Sequence, residues 1–306
     1  MAADAVLVLA FGGPTRPEEI RPFLARVARG RPIPPERLEE VAHHYETIGG
    51  RSPLNELTLR QAQKLEASLA ATGGALPVHV GFRHTAPSVA DAVARMADAG
   101  VRTAVGLILS PHASEASRDR YVDEVDVARA SLGARAPALR WVPTWHAHPL
   151  FVTAVADATV AALVTIPVAR RGDAVVLFTA HSIPVAMAER APYAAEVEAS
   201  AWAVATRLGT RRWEVAYQSR SGNPREPWLE PDVNDTLRRL RGEGVADVVV
   251  VPIGFVCDHV EVLYDLDVEA CATARTLGLG FARAGAVNDH PLFIRMLTEV
   301  VAEAAR

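Results

Sequence analysis

The sequence contains little cysteine, with only Cys257 and Cys271 among its 306 residues. Two thiols cannot form the disulfide framework of a small secreted domain, and one such chain cannot offer four thiolates to an iron–sulfur cluster. We therefore expect a cytoplasmic protein without an iron–sulfur cluster.

A strong excess of charge of either sign is also lacking. The chain carries 32 Lys and Arg residues against 36 Asp and Glu residues, which gives a formal net charge of -4 at pH 7. Nucleic-acid-binding domains usually carry a basic patch or an overall basic balance, so this composition argues against nucleic acid as a partner. Any anionic ligand must be bound by local cations.

Long apolar runs are absent as well. The most hydrophobic window, residues 152–169, is interrupted by Asp157 and broken by Pro167, and it is shorter than the roughly 20 apolar residues that a membrane-spanning helix needs. We interpret it as a helix packed on a core and expect no transmembrane segment. The first residues, MAADAVLVLAFGG, lack the basic start of a secretory signal and predict a first strand.

Hydrophobic residues make up half of the chain, which suffices for one large core or two medium ones. Short strand-like runs alternate with longer stretches of helical period, such as residues 57–69 and 88–98. This alternation predicts a parallel sheet covered on both faces. The predicted strands are residues 6–11, 78–82, 105–109, 174–178, 214–217 and 248–253.

A weak internal repeat divides the chain. Strand, polar loop, helix, glycine and strand follow one another in residues 78–114, and the same order recurs, with a longer first loop, in residues 213–259. We predict an α/β protein of two similar Rossmann-like halves, residues 1–145 and residues 146–306. No Gly-x-Gly-x-x-Gly follows a strand and no Walker loop occurs, so the common nucleotide-binding fingerprints are missing.

His181 lies where one of these strands ends. It follows the apolar run 174–178 in the stretch FTAHSIP, and Pro184 prevents the strand from continuing. Open α/β sheets bind ligands at the carboxyl ends of their strands, so His181 is a candidate functional residue. A hydrogen-bonded structural histidine is the alternative.

Three acidic residues follow the predicted strand 248–253 at a regular spacing. Asp265 and Glu269 lie four and eight residues after Glu261, so an α-helix would stack the three carboxylates along one face, about 6 Å apart. Like charges at this spacing destabilise a helix unless a cation or solvent faces them. A solvated acidic face and a path for a cation are both consistent with this pattern.

His181 and Glu261 would face each other across a cleft if the two halves pack as one sheet. An imidazole nitrogen and a carboxylate oxygen suit a divalent first-row metal, whereas two protein ligands are too few for a closed structural site. The pair therefore predicts a loosely held, exchangeable metal, with Asp265 and Glu269 along its path to the site.

Six segments of the chain carry a resemblance to a known family. They are AFGGP (10–14), HHYETIGGRSPLN (43–55), SPHAS (110–114), TAHSIP (179–184), AYQSRSGNPREPWLEPDV (216–233) and GFVCDHVEVLYDLD (254–267). In this order they resemble the signature segments of ferrochelatases, and they extend over essentially the whole chain.

The resemblance implies a lyase of haem biosynthesis that inserts Fe²⁺ into a porphyrin. The fold it implies is class II chelatase-like, with two Rossmann-like halves and the macrocycle between them. Porphyrin and Fe²⁺ are then small-molecule substrates, and no tightly bound cofactor is expected. We further expect a monomer.

The resemblance also assigns roles to individual residues. The catalytic and metal-binding pair of the family falls on His181 and Glu261, and Arg31 is a further cation in the first-half loop. Solvated loop charges remain the alternative for Arg29 and Arg31, a helix N-cap for Ser52, and a core position for Tyr45. The porphyrin-contacting positions fall at Phe11, Arg29, His44, Tyr45, Ser52 and Tyr121.

The chain departs from the family pattern at a few positions. Phe11 stands where many relatives have tyrosine, so it can stack on a macrocycle but offers no hydroxyl to a metal. Ala28 and His44 stand where arginine is usual in some bacterial relatives. The segments AFGGP, GRPIPPERLEEVAHHY and SPLN are nevertheless most similar to coproporphyrin III ferrochelatases of Gram-positive type.

Other functions remain open from the sequence. They are a ferrochelatase that uses protoporphyrin IX, a chelatase that inserts cobalt or nickel into another tetrapyrrole, and a non-catalytic tetrapyrrole or metal carrier. For the remaining strand-end histidines, His84 and His112, we expect structural or pocket-wall positions, and we expect His259 to lie behind Glu261. Most of the tryptophans are expected in cores or in helix packing.

Overall fold

A computed structural model describes residues 3–30, 33–221 and 226–306, so the predicted cation Arg31 lies outside the described residues. Contacts divide the chain into two compact units. The first unit comprises Met1–Ser110, Glu115–Thr144 and Asp289–Arg306, and the second comprises Pro111–Ser114 and Trp145–Asn288.

The sheet of the first unit consists of β1 (Ala5–Ala10), β2 (Val78–Phe82), β3 (Thr103–Ile108) and β4 (Ala138–Trp141). The strands are parallel and lie in the order β2-β1-β3-β4. Every residue of β1 and β3 is buried, as expected for the centre of a parallel sheet with both faces covered.

The helices described in the first unit are α1 (Ile20–Val27), α2 (Pro35–Thr47), α3 (Leu54–Ala71), α4 (Val89–Asp98), α5 (Arg120–Leu132) and α12 (Pro291–Ala305). A capping box starts α4, because Ser88 Oγ accepts from the Asp91 amide while the Asp91 carboxylate accepts from the Ser88 amide. This fixes the helix start at Val89, and Val93 and Met96 then pack in the core with Leu7 of β1.

The C-terminal helix α12 belongs to the first unit, where it packs against α3 and β3. Its apolar face buries Phe293, Met296 and Leu297, and Thr298 Oγ1 donates a hydrogen bond of 2.8 Å to Ser68 Oγ on α3. The sequence-based division between residues 145 and 146 placed this helix in the second half. Helical period shows that a segment has an apolar face but not which sheet that face will cover.

The sheet of the second unit consists of β5 (Val175–His181), β6 (Trp213–Gln218), β7 (Asp247–Val251) and β8 (Gly280–Arg283). These strands are also parallel and lie in the order β6-β5-β7-β8. Taken in chain order, this is the same arrangement as in the first sheet. The predicted α/β fold of two similar Rossmann-like halves is therefore confirmed.

The helices described in the second unit are α6 (Pro149–Leu163), α7 (Val185–Ala188), α8 (Tyr193–Leu208), α9 (Val233–Gly242), α10 (Val260–Leu263) and α11 (Cys271–Leu277). Gly209 ends α8 in the left-handed conformation, with φ of 68°, which a glycine adopts without steric cost. Across the three described ranges, every helix is too short or too polar to cross a membrane.

The structure differs from the sequence-based expectations in several elements. The edge strands β4 and β8 were not predicted, and the helix expected over residues 152–169 ends at Leu163. Trp202, expected in a core, is 60% exposed on the outer face of α8. Trp145, in contrast, is buried.

Candidate active site

His181 is the last residue of β5, as the sequence predicts. The chain continues through Ser182, whose amide donates to the Gln218 carbonyl at 2.7 Å and whose hydroxyl donates to the Leu229 carbonyl at 2.8 Å. The Nδ1 atom of His181 is hydrogen-bonded to the Ser182 carbonyl oxygen. Because a carbonyl oxygen can only accept, Nδ1 must carry the hydrogen, and the Nε2 atom of the neutral ring is then an acceptor.

Glu261 lies on α10, after the loop that follows β7. This loop passes very close to β5, where Gly254 donates its amide to the Thr179 carbonyl and a Cβ atom at position 254 would lie 2.7 Å from the Cβ of Ala180. Only glycine permits that approach. Gln218, at the end of β6, donates from its side-chain amide to the Glu261 carbonyl, so the neighbouring strand fixes the start of α10.

The structure brings the two predicted ligands together. His181 Nε2 and Glu261 Oε1 are 3.4 Å apart, and their side chains are 28% and 35% exposed, so the pair is partly covered yet accessible. His259 Nε2 lies 3.6 Å from Glu261 Oε2, on the other oxygen of the same carboxylate, with its ring against Phe255. The predicted place of His259 behind Glu261 agrees with this geometry.

Each member of the pair shifts the pKa of the other. Burial alone would lower the pKa of His181, but the adjacent charge of Glu261 and the hydrogen bond between the two side chains outweigh it and raise this pKa above its usual value. Burial likewise acts to raise the pKa of Glu261, and the charge of His181 overcomes it and lowers this pKa. Without a metal the pair is therefore an imidazolium facing a carboxylate.

The row of acids is present, but it does not lie on a continuous α-helix. After α10 the chain forms a π-helical segment, Asp265–Ala270, in which the Glu269 amide donates to the Tyr264 carbonyl five residues earlier. Asp265 is buried and accepts a hydrogen bond from Ser219, whereas Glu269 is exposed. Burial raises the pKa of Asp265 to about 7, and the charges of Glu261 and Glu269 act in the same direction. A fully solvated acidic face is thus excluded for Asp265.

Arg283 of β8 fixes the segment that carries Glu261 and Asp265, because its guanidinium binds one aspartate before these two residues and one after them. The guanidinium contacts Asp267 through two hydrogen bonds of 2.7 Å and Asp258 through one of 2.9 Å. Asn288 donates to the other Asp258 oxygen and accepts from the Asp258 amide. Sequence reasoning missed this network, because nothing in the spacing of an arginine 16 residues beyond Asp267 indicates a bidentate pair.

The predicted porphyrin-contacting residues lie in the first unit. Phe11 follows β1 directly and is 38% exposed, and its ring packs 4.4 Å from the imidazole of His84. Tyr45 is buried, with its ring edge-on to Phe23, which supports the core alternative for this residue. Phe11 therefore presents part of an aromatic face at a strand end.

The segments AFGGP and SPLN contact each other through Gly13 and Asn55. The side chain of Asn55 accepts from the Gly13 amide at 2.8 Å and donates to the Gly13 carbonyl at 3.1 Å. Ser52 is buried, and its hydroxyl accepts from the Leu54 amide at 3.3 Å, at the start of α3. The N-cap of α3 is Pro53, without a side-chain cap, so the Ser52 hydroxyl makes a local turn just before the helix and does not cap it.

Arg29, His44 and Tyr121 have different environments. Arg29 is exposed just after α1, and His44 is half-buried on α2, where burial lowers its pKa and favours the neutral ring. Tyr121 is buried beneath the guanidinium of Arg83, which lies 5.0 Å from its ring centroid. Arg83 also pairs with Glu124 and is a cation at the end of β2 that the sequence analysis did not select.

His112 is a structural residue by its surroundings. It is 1% exposed, and its Nε2 is 2.9 Å from Ser200 Oγ on α8. Burial lowers the pKa of His112 to about 3, with a smaller contribution from His146, so the ring is neutral at ordinary pH. Among the described residues, no group of three or more His, Cys, Asp or Glu side chains could hold a metal ion.

The two four-stranded sheets and their helices have the fold of class II chelatases. The crystal structure of the sirohydrochlorin chelatase SirB from Bacillus subtilis subspecies spizizenii, in complex with cobalt, superposes with a TM-score of 0.56, covering 98% of this chain and 94% of that chain at 13% identity. The predicted class II chelatase-like fold is thereby confirmed.

The chain belongs to the ferrochelatase family, whose model, described as Ferrochelatase, matches residues 3–305. It is 42% identical to the coproporphyrin III ferrochelatase of Mycolicibacterium smegmatis, covering 99% of this chain and 90% of that protein. It is 44% identical to the coproporphyrin III ferrochelatase of Nocardia farcinica, covering 99% and 88% respectively. The predicted family and its enzyme class, a porphyrin metal chelatase, are confirmed.

Proposed function

We propose that the protein inserts Fe²⁺ into coproporphyrin III during haem biosynthesis, with His181 and Glu261 as its metal-binding and catalytic pair. The substrate is supported by the curated relatives, which are coproporphyrin III ferrochelatases at 42% and 44% identity over nearly the whole chain. The site is supported by one observation above all, the 3.4 Å separation between His181 Nε2 and Glu261 Oε1.

Two acceptors cannot stably face each other at this distance. When Nδ1 donates to the Ser182 carbonyl, the neutral ring directs its Nε2 lone pair at a carboxylate oxygen, and only a cation between the two atoms relieves the repulsion. That cation is a proton in the imidazolium state or a divalent metal in the loaded state. Imidazole and carboxylate ligands both suit Fe²⁺.

Metallation also requires a proton acceptor, because the porphyrin loses two N–H protons for each Fe²⁺ that enters. His181 accepts one of these protons when its ring is neutral, and Glu261 stabilises the resulting imidazolium, while the second proton passes to solvent. The raised pKa of His181 favours this uptake. The macrocycle is held through Phe11, and Arg29, His44, Tyr45, Ser52 and Tyr121 complete the proposed porphyrin site, while Asp265 and Glu269 lie on the metal path.

Further properties complete the proposal. Iron is a substrate and not a resident cofactor, and the chain works without an iron–sulfur cluster, which is supported by its having only two cysteines. We propose that the protein is cytoplasmic, in keeping with its low cysteine content, and that it acts as a monomer.

The test is anaerobic incubation of the purified protein with Fe²⁺ and either coproporphyrin III or protoporphyrin IX, with metallation followed in the Soret and Q bands. We expect turnover of coproporphyrin III and loss of turnover in His181→Ala. Turnover of protoporphyrin IX alone would overturn the substrate. Porphyrin binding without metallation would instead identify a carrier.

A further inference from the structure

One face of α8 contacts two separate parts of the second unit. Tyr193, Glu196 and Ser200 lie at positions i, i+3 and i+7 of this helix, and all three are buried. Glu196 accepts a hydrogen bond from the Ala113 amide at 2.6 Å, and Ser200 contacts His112. At the N-terminal end of the same face, the Tyr193 hydroxyl donates to the backbone carbonyl of His181 at 2.9 Å.

The Tyr193 phenol is held rigidly. Its side chain is 5% exposed, and its ring packs edge-on against His112, with centroids 6.1 Å apart. Burial raises the pKa of the Tyr193 hydroxyl, which therefore stays protonated and able to donate at neutral pH.

The His181 carbonyl, which accepts this hydrogen bond, is part of a peptide group that is hydrogen-bonded at both ends. The peptide plane between His181 and Ser182 carries the His181 carbonyl, which accepts from Tyr193, and the Ser182 amide, which donates to the Gln218 carbonyl at 2.7 Å. Because a peptide group is planar, two hydrogen bonds at its two ends fix its orientation. His181 then has little freedom to turn about its backbone.

The hydrogen bond from the Ser182 amide to the Gln218 carbonyl joins two residues that each contact one member of the metal-binding pair. The Ser182 carbonyl accepts a hydrogen bond from Nδ1 of His181, and this bond sets the orientation of the imidazole ring. The side-chain amide of Gln218 donates a hydrogen bond to the Glu261 carbonyl. A rotation of the peptide between His181 and Ser182 would therefore change the distance between His181 Nε2 and Glu261 Oε1.

We propose that Tyr193 is a positioning residue that sets the gap between His181 and Glu261 and thereby the affinity of the site for a divalent metal. This inference rests on the metal-binding role of the pair proposed above. Removal of hydrogen-bond partners that orient metal ligands typically weakens metal affinity or activity by roughly 10- to 100-fold, and Tyr193 acts one step further out, through the backbone of the ligand.

Tyr193→Phe tests the proposal because it removes the hydroxyl and keeps the ring that packs on His112. The matched control is Tyr217→Phe, since Tyr217 is a buried tyrosine of the adjacent strand β6, at 8% exposure. For each protein, Zn²⁺ affinity without porphyrin is measured by calorimetry, and the KM values for Fe²⁺ and for coproporphyrin III are measured at a temperature well below both melting midpoints.

We expect Tyr193→Phe to weaken Zn²⁺ binding and raise the KM for Fe²⁺ by roughly tenfold, with the porphyrin KM unchanged and Tyr217→Phe like the wild type. Unchanged metal affinity in Tyr193→Phe, or an equal loss in Tyr217→Phe, would overturn the proposal. A matching rise in the porphyrin KM would also overturn it and make Tyr193 a general structural residue. If the wild-type protein binds Zn²⁺ but metallates no porphyrin, the proposed function fails while the calorimetric comparison still decides the role of Tyr193.

Discussion

The two units share one strand order, yet the residues at the ends of their strands differ in chemistry. β1 of the first unit and β5 of the second occupy the same place in their sheets. β1 leads into Phe11, an aromatic residue packed on His84, whereas β5 ends in His181, an ionisable residue paired with Glu261. The repeated fold therefore supplies two similar scaffolds, and the residues at the strand ends distinguish their roles.

Under the proposed function, this difference would assign the porphyrin to the first unit and the metal to the second. An exposed aromatic face suits a flat macrocycle, and a histidine with carboxylates suits a divalent cation. If the separation is real, substitutions in the second unit will change the kinetic parameters for metal, and substitutions in the first will change those for porphyrin.

The largest effect is expected for His181→Ala. Loss of the imidazole removes both a metal ligand and a proton acceptor, so kcat should fall about 10²- to 10⁴-fold while the dissociation constant of coproporphyrin III stays nearly the same. Anaerobic metallation assays and porphyrin fluorescence quenching measure the two quantities. His79→Ala, at a half-buried histidine of β2, is the control and should retain activity. Equal losses of turnover and porphyrin affinity in His181→Ala would contradict the separation.

In the second unit, the low pKa of His112 should make the free energy of unfolding fall at acid pH. Its pKa falls from 6.5 to about 3 on folding because the ring is buried, so the unfolded chain binds a proton between these values and the folded chain does not. The contribution of His112 to stability is therefore complete above pH 6.5 and is lost as the pH falls through this window, by about 1.4 kcal/mol per pH unit.

Denaturant unfolding between pH 7 and pH 5 measures this dependence. His112→Gln, which does not titrate, should reduce the slope of stability against pH, and His79→Gln should change it less. An identical slope in His112→Gln and the wild type would show that other groups govern acid sensitivity.

In the first unit, Phe11→Ala should weaken porphyrin binding by about 1 to 2 kcal/mol, or roughly 5- to 30-fold, because the macrocycle loses an aromatic contact. The KM for Fe²⁺ should not change. Phe11→Tyr keeps the ring and serves as the matched variant, with porphyrin affinity close to that of the wild type. A change in the iron parameters alone would reverse the assignment of the two units.

The smallest effect is expected for Asp265→Asn combined with Glu269→Gln. Removing two carboxylates from the proposed metal path should raise the KM for Fe²⁺ a few-fold, equivalent to about 1 kcal/mol, and leave the porphyrin KM unchanged. Glu198→Gln, at an exposed position of α8, controls for the general loss of negative charge. An unchanged iron KM in the double variant would assign these acids to structure.

Much of this arrangement could be predicted from the sequence because it follows from local patterns. The buried central strands are continuous apolar runs, and Pro184 marks the end of β5, so His181 could be placed at a strand end. The convergence of His181 and Glu261 was predicted from the family resemblance and from halves packed as one sheet, but the structure has two separate sheets, and the second unit alone brings the two residues together. β4 and β8 could not be found in the same way, since ALRW and GFAR are short, half-buried edge strands without an apolar run.

The remaining features depend on contacts between distant segments. The spacing of Glu261, Asp265 and Glu269 is the same in an α-helix and in a π-helical segment, so the change of helix type gave no sequence signal. The hydrogen bond from Tyr193 to His181 depends on how α8 packs against the end of β5. The pairing of Arg283 with Asp258 and Asp267 likewise appears only once β8 is in place.

The position of α12 has a consequence for the order of folding during synthesis. Nearly all of the second unit is encoded in the continuous stretch Trp145–Asn288, whereas the first unit needs Asp289–Arg306 as well. A ribosome therefore completes the second unit before the first. Until α12 has been synthesised, the surface of the first unit that packs against Phe293, Met296 and Leu297 stays exposed. During that interval the nascent first unit is the portion of the polypeptide most in need of chaperone protection.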